Sequence, residues 1–107
     1  MKAIMELDER LTSAGIPHVL RDMGSYSDHL DFGWQIVYPS VEAWSKDEAG
    51  SGDVVWNKAS YGHEADLLEA MGFDIPNDDV RGYLTVDEAF GFFERQWKKD
   101  QGNEIAG

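Results

Sequence analysis

The chain has 107 residues, 42% hydrophobic and 12% aromatic, enough for one core in one domain and too apolar for a disordered polypeptide. It holds no cysteine, so disulfides, thiolate nucleophiles and cysteine-ligated zinc are excluded. Twenty-one acids against nine Lys and Arg give a formal net charge of −12, which disfavours direct binding to nucleic acid or an anionic membrane and favours a basic protein partner.

The acidity belongs to the whole body. Residues 1–53 carry 4 basic and 10 acidic groups and residues 54–107 carry 5 and 11, so each half is −6. Residues 1–10 are charged where a signal peptide has an apolar run, and no stretch approaches the roughly 20 apolar residues of a membrane span. Together with the missing cysteines, this points to a cytoplasmic protein.

In chain order, residues 2–14 read as a helix, with Ile4, Leu7 and Leu11 in one stripe, Gly15 as its stop and Pro17 blocking continuation. Residues 18–23 read as a short strand, followed by a turn-rich stretch from Gly24 to Gly33. Residues 34–38 are the clearest strand, with Trp34, Ile36 and Tyr38 on one face and Gln35 and Val37 on the other. Ser40 can cap a short helix through Ala49 that carries Val41 and Trp44; otherwise 40–53 is a long exposed loop. Residues 54–58 form a third strand.

Residues 61–71 read as a helix with Leu67, Leu68 and Met71 inward and Gly72 as its stop, and residues 73–84 as irregular, broken by Pro76 and Gly82. Thr85 and Glu88 form a capping box for the last helix, where Val86, Ala89, Phe90, Phe93 and Trp97 recur at helical spacing and Lys98 and Lys99 complement the dipole. The expectation is one α+β domain over 1–100 with a frayed tail at 101–107. Its sheet has three antiparallel strands and its helices number three, or four if 40–49 is helical, in the order α-β-β-(α)-β-α-α.

Catalytic and metal signatures are missing. His63 is followed four residues on by Leu67, not by a second histidine, and Glu64 and Asp66 are explained by a helix N-terminal dipole. Asp28, His29 and Asp31, with or without His63, have no spacing that demands a metal. Asp74, Asn77, Asp78 and Asp79 lack the order of a calcium loop, and Pro76 interrupts them. Ser51 has flanking glycines but no nucleophile elbow, and no phosphate loop occurs. No cofactor and no enzymatic activity are expected. Tyr26, Phe32, Trp44 and Tyr61 fall in loops or at element ends, where aromatics either close a small core or anchor a protein partner.

Four segments, GWQIVYP at 33–39, DVV at 53–55, SYGHEADLLEAMG at 60–72 and VRGYLTVDEAF at 80–90, resemble a group of small phage and prophage proteins of gut bacteria. The resemblance covers about residues 4–97, and its most specific stretch is SYGHE. Kin carry a Cys-His pair where Asn57 and Lys58 stand here, which weakens any thiol or metal role. The resemblance implies a setting in which small acidic proteins inhibit host defence, anti-CRISPR proteins among them.

The reading is therefore a non-enzymatic acidic module that blocks a basic nucleic-acid-binding host protein such as a CRISPR effector nuclease, by DNA mimicry or steric block. The residues expected to bind the partner are Glu42, Trp44, Asp47, Glu48, Asp74, Asp78 and Asp79, with Trp44 as the apolar anchor. The alternative is a phage accessory or assembly domain acting through self-association or another phage protein. An enzyme built on His63 and nearby carboxylates comes last.

Overall fold

The computed structural model describes residues 2–23, 33–57, 60 and 62–106; at His63 and at 103–106 only the backbone is described. Helix α1 spans Ala3–Ala14 and buries Ile4, Leu7 and Leu11. It stops where the pattern demands: Gly15 takes a left-handed φ of 73°, and the N–H groups of Gly15 and Ile16 return to Thr12 and Leu11 at 3.1 Å. Strands β1 (Val19–Asp22) and β2 (Gly33–Tyr38) follow, then the short helix α2 (Val41–Ser45), whose cap Ser40 accepts the Ala43 N–H at 3.2 Å. Strands β3 (Gly52–Asn57), β4 (Leu68–Gly72) and β5 (Arg81–Leu84) lead to helix α3 (Val86–Ala106), with residues 101–106 as its last turns. The capping box at its start is formed: Glu88 Oε1 accepts the Thr85 N–H at 3.0 Å, and the Glu88 N–H donates to Thr85 Oγ1 at 3.2 Å.

The five strands pair antiparallel in the order β1-β2-β3-β4-β5, so each lies beside its neighbour in sequence. One face carries Ile36, Tyr38, Val54, Leu68, Ala70 and Leu84 and packs beneath α1 and α3. Phe93 is fully buried there, edge-on to Phe73 at 4.9 Å and to Tyr38 at 6.1 Å between ring centroids. The two helices lie side by side, tied by the Arg10–Asp87 ion pair.

The expected three-stranded sheet is corrected to five strands, and the expected helix over 61–71 does not form. In its place a 3₁₀ turn at His63–Ala65 runs through Asp66, at φ 56°, into β4. Leu67, Leu68 and Met71 fit a helical stripe, but burial alternates instead, with Leu68 and Ala70 inward and Glu69 and Met71 on the other side. Short apolar runs are ambiguous between the two periods, and the open edge of β3 decides this one by pairing Gly52–Val55 with Glu69–Gly72. Glu64 and Asp66 therefore favour no helix of their own. Asp66 instead receives the Ala3 N–H on both carboxylate oxygens at 3.1 Å, capping α1 where Lys2 offers no side-chain cap.

The stretch 73–84, expected to be irregular, contributes β5. Only Leu84 of that edge strand is buried, and the pairing with β4 is irregular between Leu68 and Ala70. The segment 40–49 is helical only over Val41–Ser45, and the observed order is α-β-β-α-β-β-β-α. Among the described residues no helix is long and apolar enough to cross a membrane.

Candidate functional site

Opposite the helix layer, the second face of the sheet carries polar residues in register. Arg21 stands across from Gln35, Gln35 from Val55 and Val55 from Glu69; beside that row Val37 faces Asp53 and Asp53 faces Met71. Gln35, Val37, Asp53 and Val55 are all buried. The polar members are satisfied in a chain: Arg21 Nη1 donates to Gln35 Oε1 at 3.0 Å, and Gln35 Nε2 donates to Asp53 Oδ2 at 2.9 Å.

Helix α2 packs against β2 on this face and brings Trp44 over the network. The Trp44 indole N–H donates to Asp53, and the Arg21 guanidinium lies 5.4 Å from the indole ring centroid. Burial is the largest influence on Asp53 and raises its pKa. The hydrogen bonds from Gln35 and Trp44 pull it back, Glu69 raises it further and Arg21 lowers it.

Asp53 forms part of the wall of a cleft of about 260 Å³, lined also by Trp44, Asp47, Ser51, Met71 and Asp78. None of its lining residues is basic. The cleft arises because Gly52 pairs with Gly72, which sets the α2–β3 connection against the β4–β5 connection. The Phe73 N–H donates to the Ser51 carbonyl at 2.9 Å and the Gly50 N–H to Asp74 Oδ1 at 3.2 Å, holding the two turns together. Asp47 and Asp78 hold left-handed backbone at φ 55° and 54°, a conformation that Asp tolerates through its short polar side chain.

The structure thus gathers three of the seven residues expected to bind a partner: Trp44, Asp47 and Asp78. Glu42 is exposed on α2 and pairs with Lys46 at 2.8 Å. Glu48 is exposed, and its carbonyl anchors the Ser51 hydroxyl at 2.6 Å. Asp74 lies outside the cleft, with Lys99 3.5 Å away, and Asp79 is exposed beyond the Pro76–Asp78 turn. Sequence reasoning missed Asp53, which it left just outside the third strand at 54–58, and the Gln35 and Arg21 partners behind it. The available signal was one acid at the start of an otherwise apolar strand, with the same facing as Val55.

Of the remaining candidates, Asp28, His29, Asp31, Tyr26, Phe32 and Tyr61 lie outside the described residues, as does the side chain of His63. Among the described residues no three metal-binding side chains stand close enough together to hold a metal ion. Comparison of the chain with family models, with curated proteins and with solved structures returns no match.

Chemically, the cleft offers an aromatic wall and three carboxylates, one of them buried and hydrogen-bonded into the sheet. Such a site suits a guanidinium or ammonium group, which gains from both the carboxylates and the ring face.

Proposed function

We propose that the protein is a non-enzymatic acidic binding module that docks on a basic, nucleic-acid-binding host protein in the bacterial cytoplasm and blocks its nucleic-acid site. The likeness to phage and prophage proteins makes a CRISPR effector nuclease the partner of choice. The observation that carries the reading is the convergence of Trp44, Asp47, Asp53 and Asp78 on one cleft of a chain with net charge −12. An Arg or Lys that normally holds a DNA phosphate would enter the cleft. The exposed carboxylates of Glu42, Glu48 and Asp79 around it would steer association, a contribution to rate that salt screens.

The test is capture of purified effectors on the immobilised protein, followed by competition with their DNA. Asp47→Asn with Asp78→Asn removes two charges yet keeps side chains that accept the left-handed backbone, and is expected to weaken capture at least tenfold. Trp44→Ala removes the anchor, with an expected loss of at least about 1.4 kcal/mol, tenfold in affinity. DNA binding left unchanged across several effectors at saturating protein would end the proposal. A concentration-dependent oligomer in light scattering, with no effector captured, would favour a self-associating phage accessory protein instead.

A further inference from the structure

On the other side of the sheet from the acidic cleft, a second groove of about 330 Å³ opens between the start of the β4–β5 connection and α3. Its character is opposite. Arg81 from β5 and Arg95 and Lys99 from α3 line it, together with the rings of Phe73 and Phe92 and the amide-bearing Gln96. Three of the nine basic residues of a strongly acidic chain therefore meet at one place.

The pairing pattern sharpens the point. With acids in more than twofold excess, a cation has carboxylates close at hand, and Arg10, Lys46, Lys98 and Lys99 each have a carboxylate partner. Arg81 and Arg95 form no ion pair among the described residues, and both are exposed at this groove. The Arg95 guanidinium lies 5.2 Å from the Phe92 ring centroid, a stacking that holds it while its outer N–H groups stay available. Asp74 is the one carboxylate on the groove wall, 3.5 Å from Lys99. Three cations and one anion leave the groove two positive charges in excess, the complement of a phosphomonoester dianion.

We propose that this groove binds a small phosphomonoester with a planar ring, of the nucleoside monophosphate class. The phosphate sits between Arg81, Arg95 and Lys99, where the two guanidinium groups can each bind it in bidentate fashion. The ring lies against the half-buried Phe92, which Phe73 backs at 5.9 Å between ring centroids. The volume is at the lower limit for small-molecule sites, which fits one nucleotide and not an oligomer. Charge argues the same way: the local excess acts on a small ligand within a Debye length of about 8 Å, whereas the acidic body repels a long polyanion. The site is independent of the acidic cleft and of any partner docked there.

The test is titration calorimetry of the full chain with AMP, adenosine, inorganic phosphate and an unphosphorylated single-stranded oligonucleotide. AMP is expected to bind at millimolar concentration or below, at least tenfold tighter than inorganic phosphate, with adenosine and the oligonucleotide weaker than either. Arg81→Ala combined with Arg95→Ala is expected to weaken AMP at least tenfold, while Lys98→Ala, whose partner Glu94 is 3.9 Å away outside the groove, leaves it unchanged. Unaltered thermal melting of the double variant separates loss of the site from loss of the fold. AMP binding no better than adenosine, binding that survives the double substitution, or an oligonucleotide that outcompetes AMP would each overturn the proposal.

Discussion

Replacing Asp66 isolates a contact that ties the start of α1 to the turn before β4. Its carboxylate receives the Ala3 N–H on both oxygens at 3.1 Å across 63 residues, and Lys2 supplies no side-chain cap of its own. Asp66 also holds φ at 56°. Asp66→Ala therefore removes two things: a helix cap, worth about 1 kcal/mol, and a side chain tolerant of left-handed backbone, with a penalty of about 1 kcal/mol for alanine there. The sum, roughly 2 kcal/mol, corresponds to a fall in Tm of the order of 10 °C for a domain this size. Asp66→Gly removes the cap and relieves the backbone, so about half that fall is expected. Asp66→Asn keeps one acceptor and the left-handed tolerance, and is expected to lose only a few tenths of a kcal/mol. Calorimetric melting of the three variants gives the order Asn, Gly, Ala from mildest to most severe. Wild-type melting for Asp66→Ala, or Asn as damaging as Ala, would refute the assignment of Asp66 as the cap of α1.

Two further predictions concern the second face and the turns. Because burial raises the Asp53 pKa, the unfolded chain ionises first as pH rises, so folding stability is full below the ordinary carboxylate value of about 4 and declines above it until the folded group also ionises. Asp53→Asn removes that titration; urea unfolding across pH should show the variant gaining on the wild type as pH rises above about 4, and a constant difference would contradict the buried carboxylate. Gly72→Ala and Gly15→Ala both place a side chain on left-handed backbone, at φ 85° and 73°. A Cβ at Gly72 would stand 2.5 Å from the Ser51 carbonyl oxygen, whereas one at Gly15 meets nothing within 4 Å. Chemical denaturation should therefore give about 1 kcal/mol for Gly15→Ala and roughly 3 kcal/mol or more for Gly72→Ala; equal losses would contradict the close crossing of the two turns.

The parts of the fold legible in the sequence are those where one signal acts alone. Helix α1 has a single apolar stripe ended by Gly15, α3 has its capping box, and β2 alternates around Trp34, Ile36 and Tyr38. The region 61–84 is different. Leu67 and Leu68 stand together, so helical and strand spacing fit equally, and the choice falls to a partner strand distant in sequence. Strand β5 contributes only Leu84 to the core, which leaves no alternation to read. At the cleft, Trp44, Asp47 and Asp78 could be proposed from residue type alone. Asp53 and Gln35 could not, because a polar residue on a strand reads as solvated until α2 is seen to cover it. The separation of Asp74 from Asp78 was equally hidden, since it depends on which side of the sheet each turn residue faces.

The side-by-side placement of α1 and α3 has a consequence for the order in which the molecule can be completed during synthesis. Every strand can join its predecessor as it leaves the ribosome, because sheet order follows chain order. The apolar face of that sheet nevertheless has only α1 over it until residues 86–97 emerge, after all five strands. Phe93, the central ring of the core, arrives only after α1 and every strand have been built. A chain truncated before α3 would therefore carry all five strands and still be an exposed hydrophobic surface, the form that chaperones and proteases recognise.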